Sequence, residues 1–269
     1  MLIAGHAAIV AGEDEATPDW VPAGAKRRMD PIQRLACAVV DRLGDRHLGP
    51  GWRAALPAAT ALISANSFGS VETTLRFAES VAAYGDRGGS PTPFTTSVHN
   101  SAAAALGELL NIHGPCTTLS QGGTGTLAAL RLADLWLAAG RAPAALVVVG
   151  DHLHGWGRRV VTNLSASPWP VSHGLAAMWC LPDGSGHGRQ FRLGRHPANR
   201  TLDGGALEAD DEVELAHRAA GTERQRAPDL LGAWWPCCLA AVIPFSEPQP
   251  LQLRECEAGT VVEGWLATG

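Results

Sequence analysis

Charge is scarce in this chain: 17% of its 269 residues are Asp, Glu, Lys or Arg, against 46% hydrophobic. With 31 glycines and many alanines, so sparse a charged fraction points to close-packed helices on buried sheet, or to a surface largely covered by an interface. A basic excess is missing too. The formal net charge of −5 supplies no positive field, so nucleic acid and anionic membrane are set aside as partners. No run reaches the ~20 uninterrupted apolar residues that a membrane helix needs. The opening stretch Leu2–Ala11 has no basic leader and runs into acidic residues, so it reads as a first strand and not as a signal peptide. A cysteine framework is also lacking. Cys37, Cys116, Cys180, Cys237, Cys238 and Cys256 show no paired spacing, and reduced, buried thiols in a cytoplasmic protein are expected.

What is present is a chain long enough to bury a full core, with apolar runs alternating between two periods. Residues 13–30 are polar and hold Pro18, Pro22, Gly24 and the cluster Lys26-Arg27-Arg28, an exposed excursion. Ile32, Leu35, Ala36, Val39, Val40 and Leu43 recur at helical spacing behind Pro31, which predicts an amphipathic helix over 31–44. Ala58–Ser64 reads as a buried strand, 70–84 as a helix stopped by Gly85, and Ser101–Ile112 as a helix stopped by Gly114-Pro115. Cys116–Gln121 is the next strand. The helix over 124–139 is apolar nearly all round and is expected to be buried on several sides. Leu146–Val149 is a β-branched run of the kind covered on both faces, and Leu175–Leu181 a further strand. This alternation predicts α/β class with a mostly parallel sheet and a buried central helix. After about residue 185 the regularity fades, and Trp234–Ile243 is the last clear apolar element.

One segment is unusually informative. Pro115 to Gly140 reads strand, tight turn, helix, preceded by Ser97-Val98-His99-Asn100 and Gly114-Pro115 and followed by the short strand Ala144–Gly150. This order closely resembles the N-terminal half of a β-ketoacyl synthase, an enzyme of the thiolase superfamily. In that family the nucleophilic cysteine stands eight residues after the Gly-Pro proline and seventeen before the glycine closing the helix. Both counts land on Gly123. Residues 18–45 and Thr92-Pro93-Phe94 narrow the resemblance to a short ketosynthase-like family of aryl-polyene-type lipid and polyketide pathways, whose members resemble chain length factors.

The resemblance spans roughly 1–182, a ketosynthase-like thiolase half, and leaves 183–269 as an abridged C-terminal portion. It implies an absent nucleophile. A ketosynthase needs a thiolate at a helix N-terminus beside backbone N–H donors, and Gly123 has no side chain to acylate. The flanking hydroxyls Ser120, Thr124 and Thr126 have no evident activating base. Neither of the superfamily's two C-terminal histidine motifs is present after residue 182. The resemblance therefore implies a partner role, with no cofactor and no metal. Cys116, Thr117, Thr118, Leu119, Ser120, Gln121, Gly122 and Thr124 are expected at a pseudo-twofold interface with a full-length ketosynthase, bordering its acyl tunnel, and acyl carrier protein would reach the chain through that complex. Related chain length factors often carry glutamine at the cysteine position. Here Gln121 comes two residues early. Two other classes stay open: a stand-alone acyltransferase or malonyl decarboxylase, and a scaffold that only binds carrier protein.

Other features invite sharper chemistry and have plainer readings. Cys116 lies seven residues early for a nucleophile and reads as a structural thiol. Asp151-His152-Leu153-His154 suggests a metal site without a third ligand, and reads as polar residues at a strand end. Leu119-Ser120-Gln121-Gly122 fails the hydrolase elbow pattern, and Gly184–Gly188 reads as a turn and not as a dinucleotide fingerprint. His99-Asn100 before the Ala-rich helix invites a functional reading, and Asn100 has the plainer one of a helix N-cap. The nine tryptophans either line a groove or fill core.

Overall fold

Asp30, Pro31 and Gln33 start the first long helix by local chemistry. The Asp30 carboxylate accepts from the Gln33 backbone N–H at 2.9 Å, and the Gln33 side-chain oxygen accepts from the Asp30 N–H at 2.9 Å. This reciprocal cap, with Pro31 at the first helical position, fixes helix α2 over Pro31–Leu43. The helix ends where Gly44 meets the Trp52 indole, too close for any Cβ, and the backbone widens into a π turn over Gly44–Leu48.

In this computed structural model the described residues are 1–10, 16–85, 88–120, 125–155, 158–159 and 173–185, with the backbone of strands at 189–193, 216–217, 251–257 and 260–268. In chain order the main elements are β1 (Leu2–Val10), α1 (Ala23–Lys26), α2, α3 (Trp52–Ala55), β2 (Ala61–Ala65), α4 (Val71–Tyr84), α5 (Pro91–Thr96), α6 (Ser101–Leu109), β3 (Cys116–Leu119), α7 (Gly125–Ala138), β4 (Ala145–Asp151) and β5 (Gly174–Leu181). Strands β6 (Arg189–Leu193), β7 (Ala216–His217), β8 (Leu251–Glu257) and β9 (Thr260–Thr268) follow.

The nine described strands belong to one sheet in the order β3-β2-β4-β5-β1-β6-β9-β8-β7. In its first five strands, β2 pairs in parallel with both β3 and β4, while β5 runs antiparallel between β4 and β1. Four of the five core strands therefore point the same way. The remaining pairings, from β1·β6 outward, are antiparallel, a continuation that the fading pattern after residue 185 did not disclose.

Alternation sorts the core strands between two layers. Leu62, Leu146, Val148, Leu175, Ala177 and Trp179 face α2 and α6, while Ile63, Val147, Val149, Met178 and Cys180 face α7. A bulge in β1 between Ile3 and Gly5 reverses the parity, so Ile3 faces α7 but Ala7 and Ile9 face α2. Each fully buried Leu or Ile here contributes about 1.5–3 kcal/mol.

Helix α1 lies within the polar 13–30 excursion, and helices α3 and α5 lie where no element is predicted. Helix α6 stops at Leu109, three residues before the expected end, and β2 begins at Ala61 because residues 58 and 59 form a turn. Helix α7 is less enclosed than its composition suggests: one side packs on the sheet, while Leu135 is 56% exposed. Of the described tryptophans, Trp52 and Trp179 are buried in the core and Trp20 and Trp136 are half-buried against it. The Trp234–Ile243 run lies outside the described residues. Among the described residues, no helix is long and apolar enough to cross a membrane.

Candidate functional site

Because β2, β3 and β4 are parallel, their C-terminal ends share one side of the sheet. The chain leaves β2 for β3 on one flank, then crosses through α7 to β4 on the other. Strand order therefore reverses at β2, and open α/β sheets commonly take ligands at the carboxyl ends of strands beside such a reversal.

Gly114 sets how the chain enters β3. A Cβ there would overlap the carbonyl oxygens of Ala59 and Thr60, so only glycine lets the two backbones approach this closely. Pro115 then accepts from Leu62 N–H at 2.8 Å, and the parallel register runs from Leu62 opposite Cys116 to Ala65 opposite Leu119. The Asn66 N–H continues it, donating to the Leu119 carbonyl at 3.0 Å. Strand β3 is the last strand at its end of the sheet, and among the described residues its outer edge has no neighbour.

The expected site residues fall along this strand. Cys116 is exposed, contrary to the expectation of a buried thiol, because it opens an edge strand. Partial burial pushes its thiol above the usual range, and it sits at the far end of β3 from the elbow, so nothing activates it. Cys37 and Cys180 are buried, and burial pushes both thiols up to about 12. Thr117, Thr118 and Leu119 are half-buried, and Leu119 packs toward α7. The Thr118 hydroxyl oxygen is buried and has no hydrogen-bond partner among the described residues. Ser120 is exposed. Gln121, Gly122, Gly123 and Thr124 lie outside the described residues. Helix α7 opens at Gly125 with no acidic residue in its first turn.

Asp151 organises the turn after β2. It is 3% exposed and accepts from the N–H groups of Ser67 at 2.8 Å, Phe68 at 2.8 Å and Gly69 at 3.0 Å. Burial pushes its carboxyl up, and the three N–H donors and nearby His99 draw it part of the way back. A second pair closes the same turn. The Asn66 side-chain amide donates to the His99 carbonyl at 3.0 Å, and its oxygen lies 2.8 Å from His99 Nδ1. Sequence reasoning missed this pair, and Asn100 itself makes no capping hydrogen bond to α6.

Among the described residues, the histidines after β4 are not gathered into a metal centre. The strand ends at Asp151, so His152 and His154 lie beyond it with ring centroids 6.4 Å apart. His173 approaches the His152 ring at 4.7 Å but is tied through Nδ1 to the Leu153 carbonyl at 2.9 Å. The His154 N–H donates to Glu72 at 3.0 Å. Among the described residues, no group of three or more His, Cys, Asp or Glu could hold a metal ion. Gly184 has φ +82° and Ser185 N–H returns to the Pro182 carbonyl, a turn at the start of Gly184–Gly188, whose residues 186–188 lie outside the described residues.

Several solved structures share this architecture. The ishigamide ketosynthase/chain length factor superposes with a TM-score of 0.71 at 15% identity, over 99% of this chain and 99% of that one. A beta-ketoacyl synthase from Burkholderia phymatum STM815 gives 0.68 at 13% identity, covering 100% and 99%. The ketosynthase ApeO in complex with its chain length factor ApeC, from Xenorhabdus doucetiae, gives 0.58 at 15% identity, covering 99% of each chain. At these identities the likeness is one of fold, and the fold is the thiolase-like one of ketosynthases. No curated protein matches the chain. Residues 4–186, well over half of the sequence, match the family described as Beta-ketoacyl synthase, N-terminal domain, and the chain belongs to that family.

Proposed function

We propose that this chain is a chain-length-factor-like subunit that pairs with a full-length ketosynthase and shapes its acyl tunnel during polyene, polyketide or fatty-acyl elongation. The observation that carries the reading is the position of β3. It is an edge strand with no neighbour on its outer side among the described residues, and the sequence that follows it carries Gly123 where the resemblance places a nucleophile. An open edge of this kind is normally blunted or paired. Pairing it with the partner's equivalent strand would continue one sheet through both subunits. Cys116–Leu119 would lie in the interface, and Ser120–Thr124 would border the tunnel.

The partner supplies the thiolate, takes acyl groups from acyl carrier protein and condenses them with malonyl units; this chain supplies wall and interface. Residues 1–182 act as the ketosynthase-like half and 183–269 as its abridged remainder. The test is co-expression with the candidate ketosynthase, followed by light scattering on the purified complex. A one-to-one heterodimer that loses association when Cys116 and Thr118 are both replaced by proline is the expected result, since Pro115 and Leu119 turn their carbonyls to β2 and the N–H groups of the alternate residues face the open edge. Two separate species of each chain alone would overturn the reading.

A further inference from the structure

Helix α4 stands apart from the other long helices. Of its 14 residues only Thr73 is buried, whereas α2 buries most of its length. The base of α4 is anchored by polar contacts. The Thr73 hydroxyl lies 3.5 Å from the Asp30 carboxylate, the Thr74 hydroxyl donates to the Ser97 carbonyl at 3.1 Å, and Glu72 accepts from the His154 N–H at 3.0 Å. Further along, Phe77, Val81 and Tyr84 recur at i, i+4 and i+7 and so share one side of the helix. Phe94 of α5 closes on that side, its ring 5.3 Å from the Phe77 ring. The Ser90 N–H, just before α5, donates to the Ser80 hydroxyl at 3.0 Å and ties the two helices together. Among the described residues, none of these four apolar side chains belongs to the core layer on either face of the sheet.

Exposed large hydrophobics concentrate here. Tyr84 is 75% exposed, Phe94 61% and Val98 50%; the fourth among the described residues, Leu135, lies on α7. A single exposed apolar residue is ordinary, but a contiguous apolar patch marks an interaction site. The patch also adjoins the open edge of β3. Leu119, the last residue of that strand, accepts from the Asn66 N–H at 3.0 Å, and the Asn66 amide donates to the His99 carbonyl at 3.0 Å. Val98 is the residue before His99, and the Phe94 carbonyl accepts from the Ser97 N–H. Two hydrogen bonds and one short stretch of chain thus join the edge strand to the patch.

We propose that the α4–α5 face around Phe77, Tyr84, Phe94 and Val98 is the apolar part of the interface with the ketosynthase subunit, seated on a complementary apolar patch of that partner. Strand β3 supplies directional hydrogen bonds, and this face supplies the aromatic anchors and excludes water. That the occupant is a ketosynthase rests on the proposed partner role; the patch does not. Removing a buried aromatic anchor from an interface weakens association by about thirtyfold.

The test uses the full chain and its candidate ketosynthase. Tyr84 is the only tyrosine in the sequence, so nitration reports on this face without any substitution. Tetranitromethane, followed by mass spectrometry, should nitrate Tyr84 in the free chain and spare it in the complex. Phe94→Asp and Tyr84→Asp, both at exposed positions, should each raise the dissociation constant about thirtyfold while unfolding in urea as the native chain does. Leu135→Asp, on α7, should leave it unchanged. Equal nitration of Tyr84 in the free chain and in the complex overturns the proposal, as does undiminished affinity in both variants. If Cys116 is protected in that complex and Tyr84 is not, this face alone is overturned and β3 pairing stands. Protection of Tyr84 that grows with the concentration of this chain alone gives the face to a second copy, and protection at every concentration gives it to the chain itself. Either result overturns the ketosynthase as occupant. A chain that pairs with no ketosynthase while Tyr84 is freely nitrated overturns the partner role, and this occupant with it.

Discussion

Gly114 and Thr60 touch backbone to backbone: a Cβ on Gly114 would overlap the Thr60 carbonyl oxygen. This contact explains in physical terms why glycine stands before Pro115 where the chain turns into β3. Gly114→Ala must push β3 away from the turn before β2, and the overpacking should cost about 1–3 kcal/mol in urea unfolding. Gly107, inside α6, meets only a Leu62 methyl at 3.8 Å. Gly107→Ala should therefore stabilise the chain by about 0.5–1 kcal/mol. Equal effects of the two substitutions would show that the close approach at Gly114 has no energetic weight.

Asp30 is 4% exposed at the start of α2, within reach of the Thr73 hydroxyl on α4 at 3.5 Å. Burial pushes its carboxyl above the ordinary range; the Ser70 hydroxyl, the Gln33 N–H, Arg76 and Thr73 offset part of that. A native carboxyl raised above its unfolded value of about 3.9 binds more protons than the unfolded one between the two values. Its contribution to stability is then greatest below the unfolded value and declines as pH rises through the native one. Asn caps a helix as well as Asp does. Asp30→Asn should keep α2 intact and remove this part of the pH slope, so the native protein should gain on the variant as the solution is acidified. A difference between them that stays flat with pH would contradict the assignment.

Thiol labelling separates the described cysteines. Cys116 is exposed, whereas Cys37 and Cys180 are buried with thiols pushed up to about 12. Alkylation of the folded chain at neutral pH, mapped by mass spectrometry, should modify Cys116 and spare the other two. If β3 is the interface, a bound ketosynthase should protect Cys116. Unchanged labelling in the complex would remove β3 from the contact.

Much of the architecture was legible in the sequence because its elements rest on strong local signals. The Pro31 start and apolar spacing gave α2, and the runs at Leu146–Val149 and Leu175–Leu181 gave β4 and β5. The reversed direction of β5 was not legible, since an apolar run buried on both faces looks alike in either direction. Helices α1, α3 and α5 are at most six residues long, too short to show a period. At the site, Gly114 and the β3 segment followed from motif order. The Asn66–His99 pair did not, because the two residues are 33 positions apart and meet only when the crossover from β2 to β3 folds back. His99-Asn100 stands out in the sequence only as a helix entry, and the Asn100 side chain does not cap α6.

The most direct measurement is a condensation assay with acyl carrier protein and malonyl units, run on this chain, on its candidate ketosynthase and on the two co-purified. Elongation only by the one-to-one complex is the expected result, with Gly123→Cys as the next substitution to assay. A ketosynthase that elongates equally well alone, beside a homodimer of this chain that turns over substrate by itself, would contradict the partner role.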